Sequence, residues 1–293
     1  MENVTPAAIA ALVVELASAV AFGCVAERIT RAVQRWPVAV RIGFPALCVL
    51  PYVLVSVSQN IFRWQWFALY AALPMAVAWL LERAARRDPE QHGDWRDAII
   101  LLAFGLAVDL RWFDHAWPTG LRALNELLLV DIGLYGFQAI RQLNGTGFDF
   151  HLRWNDWKSG LRELVFFTPL VLTLGWALGF IHPHANFPSV GGAALRWVLI
   201  FFFTAVPEEL FFRGWVQNLL ERRVGRRIAL VIASVLFGLS HFNKRSAHFN
   251  WRYVLLAALA GIFYGRAWRA ERRVGASAVT HATVDAIWSL WLR

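Results

Sequence analysis

Apolar residues run along the 293-residue chain in long windows that short polar stretches separate. The apolar core of a bilayer is about 30 Å thick, so a helix needs roughly 17 to 25 apolar residues to cross it. Windows close to this length lie at 7–27, 38–58, 64–82, 98–114, 121–140, 163–181, 195–220, 227–242, 252–269 and 275–292. The pattern predicts an all-α polytopic transmembrane helical bundle with about 8–10 spans, fewer than ten if the fourth window is re-entrant or two windows merge.

Composition and charge favour the membrane interpretation over a soluble one. Hydrophobic residues make up 58% of the chain and charged residues 17%, against roughly half and a quarter in soluble domains. The net charge of +9 comes from arginine runs between the windows, such as ERRVGRR at 221–227. Such runs are typical of loops that contact anionic lipid, and they argue against nucleic-acid binding. With arginine far more frequent than lysine, we expect an integral protein of a bacterial inner membrane.

The longest polar interval, near 142–162, divides the chain into two regions. Residues 1–150 are predicted to form an N-terminal transmembrane region, and residues 160–293 a second region that holds the buried charges. No internal repeat of fixed period is present, which gives little support to an inverted-repeat transporter.

Charged residues occur within one of the most apolar windows, in the stretch VPEELFFRGW at 206–215. A charged side chain at the centre of a spanning helix costs about 2.5 to 3.5 kcal/mol on insertion scales, so these groups need partners. Glu209 and Arg213 are four residues apart, which predicts an ion pair on one helix face. Glu208 points about 100° away from Glu209 and has no such local partner. Pro207 removes a backbone hydrogen bond and is expected to open or kink the helix.

Two further windows contribute ionisable groups at helical spacing. His241 follows Phe237 by four residues, and His281 precedes Asp285 by four, so each pair shares a helix face. Ionisable residues inside membrane spans are functional candidates by default, and here they come from three helices. We therefore predict that they converge in one site.

The three motifs EE-x3-R, F-x3-H and H-x3-D together resemble the CPBP family of CAAX proteases and bacteriocin-processing proteins. This family includes the type II CAAX prenyl endopeptidases, which are glutamate-dependent intramembrane proteases, and the resemblance covers roughly residues 160–293, implying a CPBP-like intramembrane protease domain there. It implies that Glu208, helped by His241, activates a water, and that His281 and Asp285 form the site that stabilises the oxyanion. Glu209, Arg213 and Phe237 would support the pocket.

The chain departs from the family pattern at Asp285, where such proteins often carry asparagine. An amide donates hydrogen bonds to an oxyanion directly, whereas an ionised carboxylate cannot. Either burial keeps Asp285 protonated so that it can donate, or Asp285 orients His281 and leaves the oxyanion to the imidazole; we expect the second.

A metal is the main chemical alternative at this site. Two histidines and a glutamate make a plausible zinc set, yet the sequence has no HExxH motif, and the resemblance favours a mechanism without metal or cofactor.

The sequence therefore predicts an intramembrane endopeptidase that hydrolyses a peptide bond with a glutamate-activated water. Its partners would be the lipid bilayer and a membrane protein or peptide substrate, with the substrate's C-terminal segment as the candidate cleavage region. Two alternatives remain open: a non-catalytic membrane immunity or scaffold protein that keeps the pocket without using it, and a proton-coupled transporter.

Overall fold

The computed structural model describes residues 5–184, 188–244 and 248–292, and all the regular structure in these ranges is helical. The described residues form two compact units, whose bounds are 1–144 and 145–293. The boundaries predicted from the sequence, 1–150 and 160–293, stay a prediction.

The described residues of the N-terminal unit form six α-helices, joined in places by short 3₁₀-helical turns. They are α1 (Pro6–Gln34), α2 (Val38–Gly43), α3 (Leu50–Ser58), α4 (Trp64–Arg87), α5 (Trp95–Asp109) and α6 (Ala123–Gly133), the last continuing as a π-helical segment, Leu134–Ile140. Helix α1 packs against α3 and α6, and α4 packs against α5.

A buried arginine closes one end of this unit. Arg141, just past the π-helical segment, donates to Asp88 Oδ2 at 2.6 Å and to Asp97 Oδ1 at 3.0 Å. Burial of Asp88 opposes ionisation, but hydrogen bonds from the His92 and Gly93 backbone and from Arg141 hold the pKa of Asp88 below its usual value. The loop after α4 is thereby joined to the end of α6.

The C-terminal unit contains the remaining seven helices. They are α7 (Trp154–Ala177), α8 (Val190–Ile200), α9 (Val206–Glu209), α10 (Asn218–Val224), α11 (Arg226–Leu239), α12 (Trp251–Glu271) and α13 (Val274–Trp291). Two π-helical segments, Phe201–Ala205 and Leu210–Gln217, link α8, α9 and α10 into one continuous helical rod.

Helix α12 lies at the centre of this unit, where it packs against α7, α11 and α13. Small residues allow the helices of this unit to approach one another closely. A Cβ atom at Gly238 of α11 would lie 2.5 Å from the Val254 carbonyl oxygen, and one at Gly160 of α7 would lie 2.8 Å from the Ala276 carbonyl oxygen. Small residues at helix contacts are the usual packing device of membrane bundles, because lipid supplies no hydrophobic drive for association.

Ion pairs fix the turn between α12 and α13 to the first turn of α7 and to the segment that precedes it. Arg273 donates from Nε to Asp156 Oδ1 at 2.9 Å and from Nη2 to Asp149 Oδ1 at 2.8 Å. Burial of Asp149 opposes ionisation, yet the Arg273 guanidinium holds the pKa of Asp149 below its usual value. Gly147, with φ +72°, lies directly against the Arg272 carbonyl, and its own carbonyl accepts from the Val274 amide at 2.8 Å.

Six helical segments of the described chain are long and apolar enough to cross a bilayer. They are Pro6–Gln34, Val38–Ser58, Trp64–Arg87, Thr119–Ile140, Trp154–Ala177 and Val190–Val224. The other four predicted windows are also helical, but α5 and α11 have only 15 and 14 residues, and α12 and α13 carry more polar side chains. The all-α polytopic bundle is thus confirmed, while a count of eight to ten spans stays a prediction for these four windows.

Candidate active site

The helical rod changes its winding on both sides of the two glutamates. The π-helical segment Phe201–Ala205 comes before Pro207, and a second one, Leu210–Gln217, follows Glu209. A π turn gives up the regular i to i−4 hydrogen-bond pattern, which a proline cannot complete because it lacks an N–H. Such turns are frequent at functional sites, and this one holds Glu208 and Glu209 toward the other helices of the unit.

Glu209 lies between two cationic partners in a fully buried position. Its Oε2 is 3.0 Å from Arg213 Nε, and its Oε1 is 2.9 Å from His281 Nδ1 of α13. The Arg213 contact is a close ion pair that does not meet the geometry of a hydrogen bond. Each carboxylate oxygen of Glu209 therefore lies within 3.0 Å of a basic side chain.

Glu208 occupies a different environment, one residue away. Its side chain is 26% exposed, and its Oε2 atom is buried with no hydrogen-bond partner among the described residues. The nearest cationic groups are His281 Nε2, 3.9 Å from Oε2, and Lys244 Nζ, 4.0 Å from Oε1. Both distances exceed those of a direct hydrogen bond, so this carboxylate keeps acceptor capacity that a water or substrate atom can use.

Aromatic rings hold His281 in place. Tyr264 of α12 stacks on its imidazole with ring centroids 4.7 Å apart and planes 15° apart, and Phe237 of α11 meets it edge-on at 5.5 Å. The Arg213 guanidinium lies 5.0 Å from the Phe237 ring centroid, within cation–π range. Phe237 thus contacts both the buried arginine and the histidine.

His241 lies in the turn directly after α11 and is oriented by the end of that helix. Its Nδ1 is 2.9 Å from the Phe237 carbonyl oxygen, which can only accept a hydrogen bond. Nδ1 therefore carries the proton, and Nε2 of a neutral ring is an acceptor. Tyr253 packs against the ring with centroids 4.8 Å apart.

Asp285 lies on the same side of His281 as Glu208. Its Oδ2 is 3.5 Å from His281 Nε2, and its side chain is 34% exposed. Glu209, at 2.9 Å from Nδ1, is the closer carboxylate. The expected orienting role of Asp285 stays a prediction, and the geometry offers Glu209 as a second group that can orient the ring.

An apolar cavity of about 280 Å³ opens beside these side chains. His241, His281 and Asp285 form a polar edge on it, and nearly all of the remaining wall is apolar, with Phe167 and Leu164 of α7 and Trp288 of α13 among its side chains. A cavity of this composition suits an apolar segment whose polar backbone meets the polar edge.

The described residues offer no ready set of ligands for a metal ion. No three His, Cys, Asp or Glu side chains of 5–184, 188–244 and 248–292 converge with the spacing that a metal ion requires. Metal independence of the chemistry stays a prediction.

Two residues at the site had no role in the sequence analysis. Tyr264, in AGIFYGRAW, sits in a helix rich in aromatics and stands out by no pattern. Lys244 lies in the loop sequence NKRSAHFNW at 243–251 and belongs to none of the motifs identified in the sequence.

Fold and site together define a class: a polytopic helical membrane protein whose C-terminal unit brings a half-buried glutamate and a buried Glu209–Arg213 ion pair next to His281, which with His241 lines the edge of an apolar cavity. Residues 190–287, a third of the chain, match the family model "Type II CAAX prenyl endopeptidase Rce1-like". This segment contains every site residue inferred from the motifs: Glu208, Glu209, Arg213, Phe237, His241, His281 and Asp285. The chain matches no curated protein and no solved structure.

The family match confirms the resemblance to the CAAX proteases that the motifs indicated. It supports a CAAX-protease-like intramembrane endopeptidase that acts on membrane-associated substrates within the bilayer.

Proposed function

We propose that this protein is a glutamate-type intramembrane endopeptidase in which Glu208 activates the attacking water. The observation that carries the proposal is the contrast between two adjacent carboxylates. Both oxygens of Glu209 lie within 3.0 Å of a basic side chain, Arg213 or His281, whereas the basic side chains recorded beside Glu208 in the described residues are 3.9 and 4.0 Å away and make no hydrogen bond with it. A general base needs this kind of free acceptor close to the reacting water.

The first step is attack of water on the scissile carbonyl carbon. Glu208 takes one proton of the water, and His241 Nε2 accepts a hydrogen bond from the other because its Nδ1–H is committed to the Phe237 carbonyl. The two acceptors fix the oxygen lone pair toward the substrate.

His281 then stabilises the oxyanion of the tetrahedral intermediate. Glu209 receives the Nδ1–H of His281, so an imidazolium ring has its Nε2–H left to donate. In the absence of substrate, Nε2 faces Asp285 at 3.5 Å, and the developing oxyanion takes over that donor. Asp285 in this scheme keeps the ring aligned between turnovers.

Collapse of the intermediate completes the hydrolysis. The C–N bond breaks, and the proton that Glu208 took from water passes to the leaving amine. Water has then supplied a hydroxyl to the new carboxyl terminus and a proton to the new amino terminus, and Glu208 is again ionised. No metal or cofactor takes part in these proposed steps.

The substrate is proposed to be a membrane protein or peptide that is cleaved near its C-terminal end. The cavity beside His241 and Asp285 would take an apolar segment of it, leaving the scissile amide at the polar edge. Loss of bulk water from such a cavity strengthens the contact between oxyanion and imidazolium.

The test is proteolysis of a panel of membrane-tethered C-terminal peptides in liposomes, with and without a zinc chelator. Wild type is expected to cleave at least one peptide under both conditions, and Glu208→Gln to lose about 100-fold or more of kcat, as general-base removal does. Glu27→Gln, at an exposed glutamate of α1, is the matched control and is expected to be fully active.

Other outcomes would refute the proposal in distinct ways. Loss of cleavage on chelation would indicate a metalloenzyme. Cleavage by Glu208→Gln at the wild-type rate would exclude Glu208 as the base. A folded wild type that cleaves no peptide, together with a cellular phenotype that Glu208→Gln still rescues, would favour the immunity or scaffold alternative.

A further inference from the structure

Lys244 places a positive charge beside the proposed base. Its Nζ is 4.0 Å from Glu208 Oε1, and the lysine side chain is 43% exposed while that of Glu208 is 26% exposed. Arg213 belongs to the same helical rod as Glu208, but its guanidinium is held 3.0 Å from Glu209. Among the described residues around Glu208, Lys244 is therefore the basic side chain that has Glu208 as its nearest carboxylate.

The backbone around Lys244 is fixed in the position that brings the side chain to Glu208. The Lys244 amide donates to the His241 carbonyl at 3.2 Å, and its own carbonyl accepts from Asn250 Nδ2 at 3.1 Å. The Asn250 amide in turn donates to the Phe242 carbonyl at 2.8 Å, and its side-chain oxygen caps α12 through the Tyr253 amide. One asparagine thus links the turn after α11 to the start of α12.

The choice of lysine at this position is chemically informative. The chain carries 29 basic residues, and only Lys158 and Lys244 are lysines, so arginine is the rule elsewhere. A guanidinium would present a planar fork to a carboxylate and occupy both of its oxygens, whereas an ammonium acts as a point charge. A lysine can stand beside the Glu208 carboxylate and still leave its second oxygen free to accept a hydrogen bond.

We propose that Lys244 is a positioning residue whose positive charge holds and orients the Glu208 carboxylate for the attacking water. The inference rests on the proposed function, since it assigns a role only if Glu208 is the base.

Other charged and titratable groups also act on Glu208, and none replaces Lys244. From α13, His281 Nε2 lies 3.9 Å away, but that ring is shared with Glu209 at 2.9 Å and Asp285 at 3.5 Å. The remaining groups are Glu209 and Arg213 of the same rod, His241 of the turn after α11, and Tyr264 of α12. Lys244 also acts electrostatically on Asp285, so its charge extends over both half-exposed carboxylates.

The kinetic test is the pH dependence of kcat/KM for Lys244→Met, measured on a peptide that wild type cleaves in the liposome panel. Removing the cation disfavours the ionised base, so the acidic limb of the profile should move up by about 0.5 to 1 pH unit, a shift limited by solvent exposure. The rate below the limb then falls about three- to tenfold, while the plateau at high pH is unchanged. Lys244→Arg, which keeps the charge, should leave the limb in place, and Lys158→Met is the matched control.

A merely structural role for Lys244 gives a different result. It would lower the rate equally at every pH, and an unmoved limb in Lys244→Met would overturn the inference. An equal shift in Lys244→Arg would overturn it as well, because the charge would then not be the cause. If Glu208→Gln cleaves at the wild-type rate, the proposed function itself fails; if Glu208→Gln is inactive and the limb of Lys244→Met stays in place, only this inference fails.

A second measurement needs no substrate. Acylation of lysine amines at limiting reagent, read by mass spectrometry, resolves two lysines in this chain. In Glu208→Gln, the labelling rate of Lys244 should rise about threefold or more, because a neighbouring carboxylate holds an amine in its protonated, unreactive form. Lys158 labelling should not change, and an unchanged rate at Lys244 would contradict the pairing.

Discussion

Removal of either partner of the buried Glu209–Arg213 pair should destabilise the C-terminal unit strongly. Both side chains are fully buried and lie 3.0 Å apart, so Arg213→Met removes one of the two basic groups beside the buried Glu209 carboxylate and leaves His281 as the other. Breaking a buried ion pair on one side costs about 3 to 5 kcal/mol, a large part of a domain's net stability of about 5 to 15 kcal/mol. Glu209→Gln should cost a similar amount, although its amide oxygen can still accept from His281 Nδ1.

The double variant Glu209→Gln/Arg213→Met separates charge from packing. With both charges removed, the loss should be smaller than the sum of the two single losses by about 2 kcal/mol or more, since residues in direct contact are not additive. The assay is reversible unfolding in mixed micelles by titration with a denaturing detergent, followed by tryptophan fluorescence.

The control is Arg122→Met, which breaks the pair Arg122–Asp114 at 3.3 Å with the arginine 41% exposed. An exposed pair of this kind contributes about 1 kcal/mol or less. Single losses at Glu209 and Arg213 no larger than that of the control, or a double variant that equals the sum, would refute the account of the pair.

Two further predictions concern the turn between α12 and α13. Gly147→Ala should lower the free energy of unfolding by about 3 kcal/mol, because its Cβ would lie 2.1 Å from the Arg272 carbonyl oxygen at a φ of +72°. The control is Gly179→Ala, at φ +60° with open space around it, which should cost only about 1 kcal/mol. Equal losses in the two variants would contradict the packing argument. Because Arg273 lowers the pKa of Asp149, the pair's stabilisation is present above the ordinary aspartate pKa of about 3.9 and is lost as pH falls through the lower folded value. Melting temperature measured from pH 6 down to pH 2 should therefore fall less steeply for Asp149→Asn than for wild type, and parallel curves would count against the coupling.

Local spacing predicted one half of the site well. The i, i+4 relation of Glu209 and Arg213 indicated their ion pair, and the structure has the two groups 3.0 Å apart. Such pairs can be read from the sequence because helix geometry alone brings the side chains together. The helical windows could also be predicted locally, because the length of an apolar stretch indicates a spanning helix directly.

Contacts between distant helices could not be read in this way. The spacing of His281 and Asp285 suggested a pair on one helix, yet the closest carboxylate to His281 is Glu209, 72 residues away along the chain. The approach of Tyr264 to the imidazole likewise depends on how α12 packs against α13. The winding of the rod was anticipated only as an opening or kink at Pro207, and the structure has π-helical segments on both sides.

Measuring both stability and activity of the Gln variants distinguishes the proposed roles of Glu208 and Glu209. Glu208→Gln should remain folded, because its carboxylate is half-buried and makes no direct hydrogen bond within the described residues. Glu209→Gln should lose stability as well as activity, since it disturbs both Arg213 and His281.

The most direct test of the central claim is a single-turnover cleavage in ¹⁸O-labelled water, with a zinc chelator present throughout. For wild type, the account predicts one ¹⁸O atom in the new carboxyl terminus of the peptide and no covalent enzyme–peptide species at any time point. For folded Glu208→Gln, it predicts no labelled product over the same period. A labelled product from Glu208→Gln at the wild-type rate, or a covalent intermediate in the wild-type reaction, would contradict water activation by Glu208.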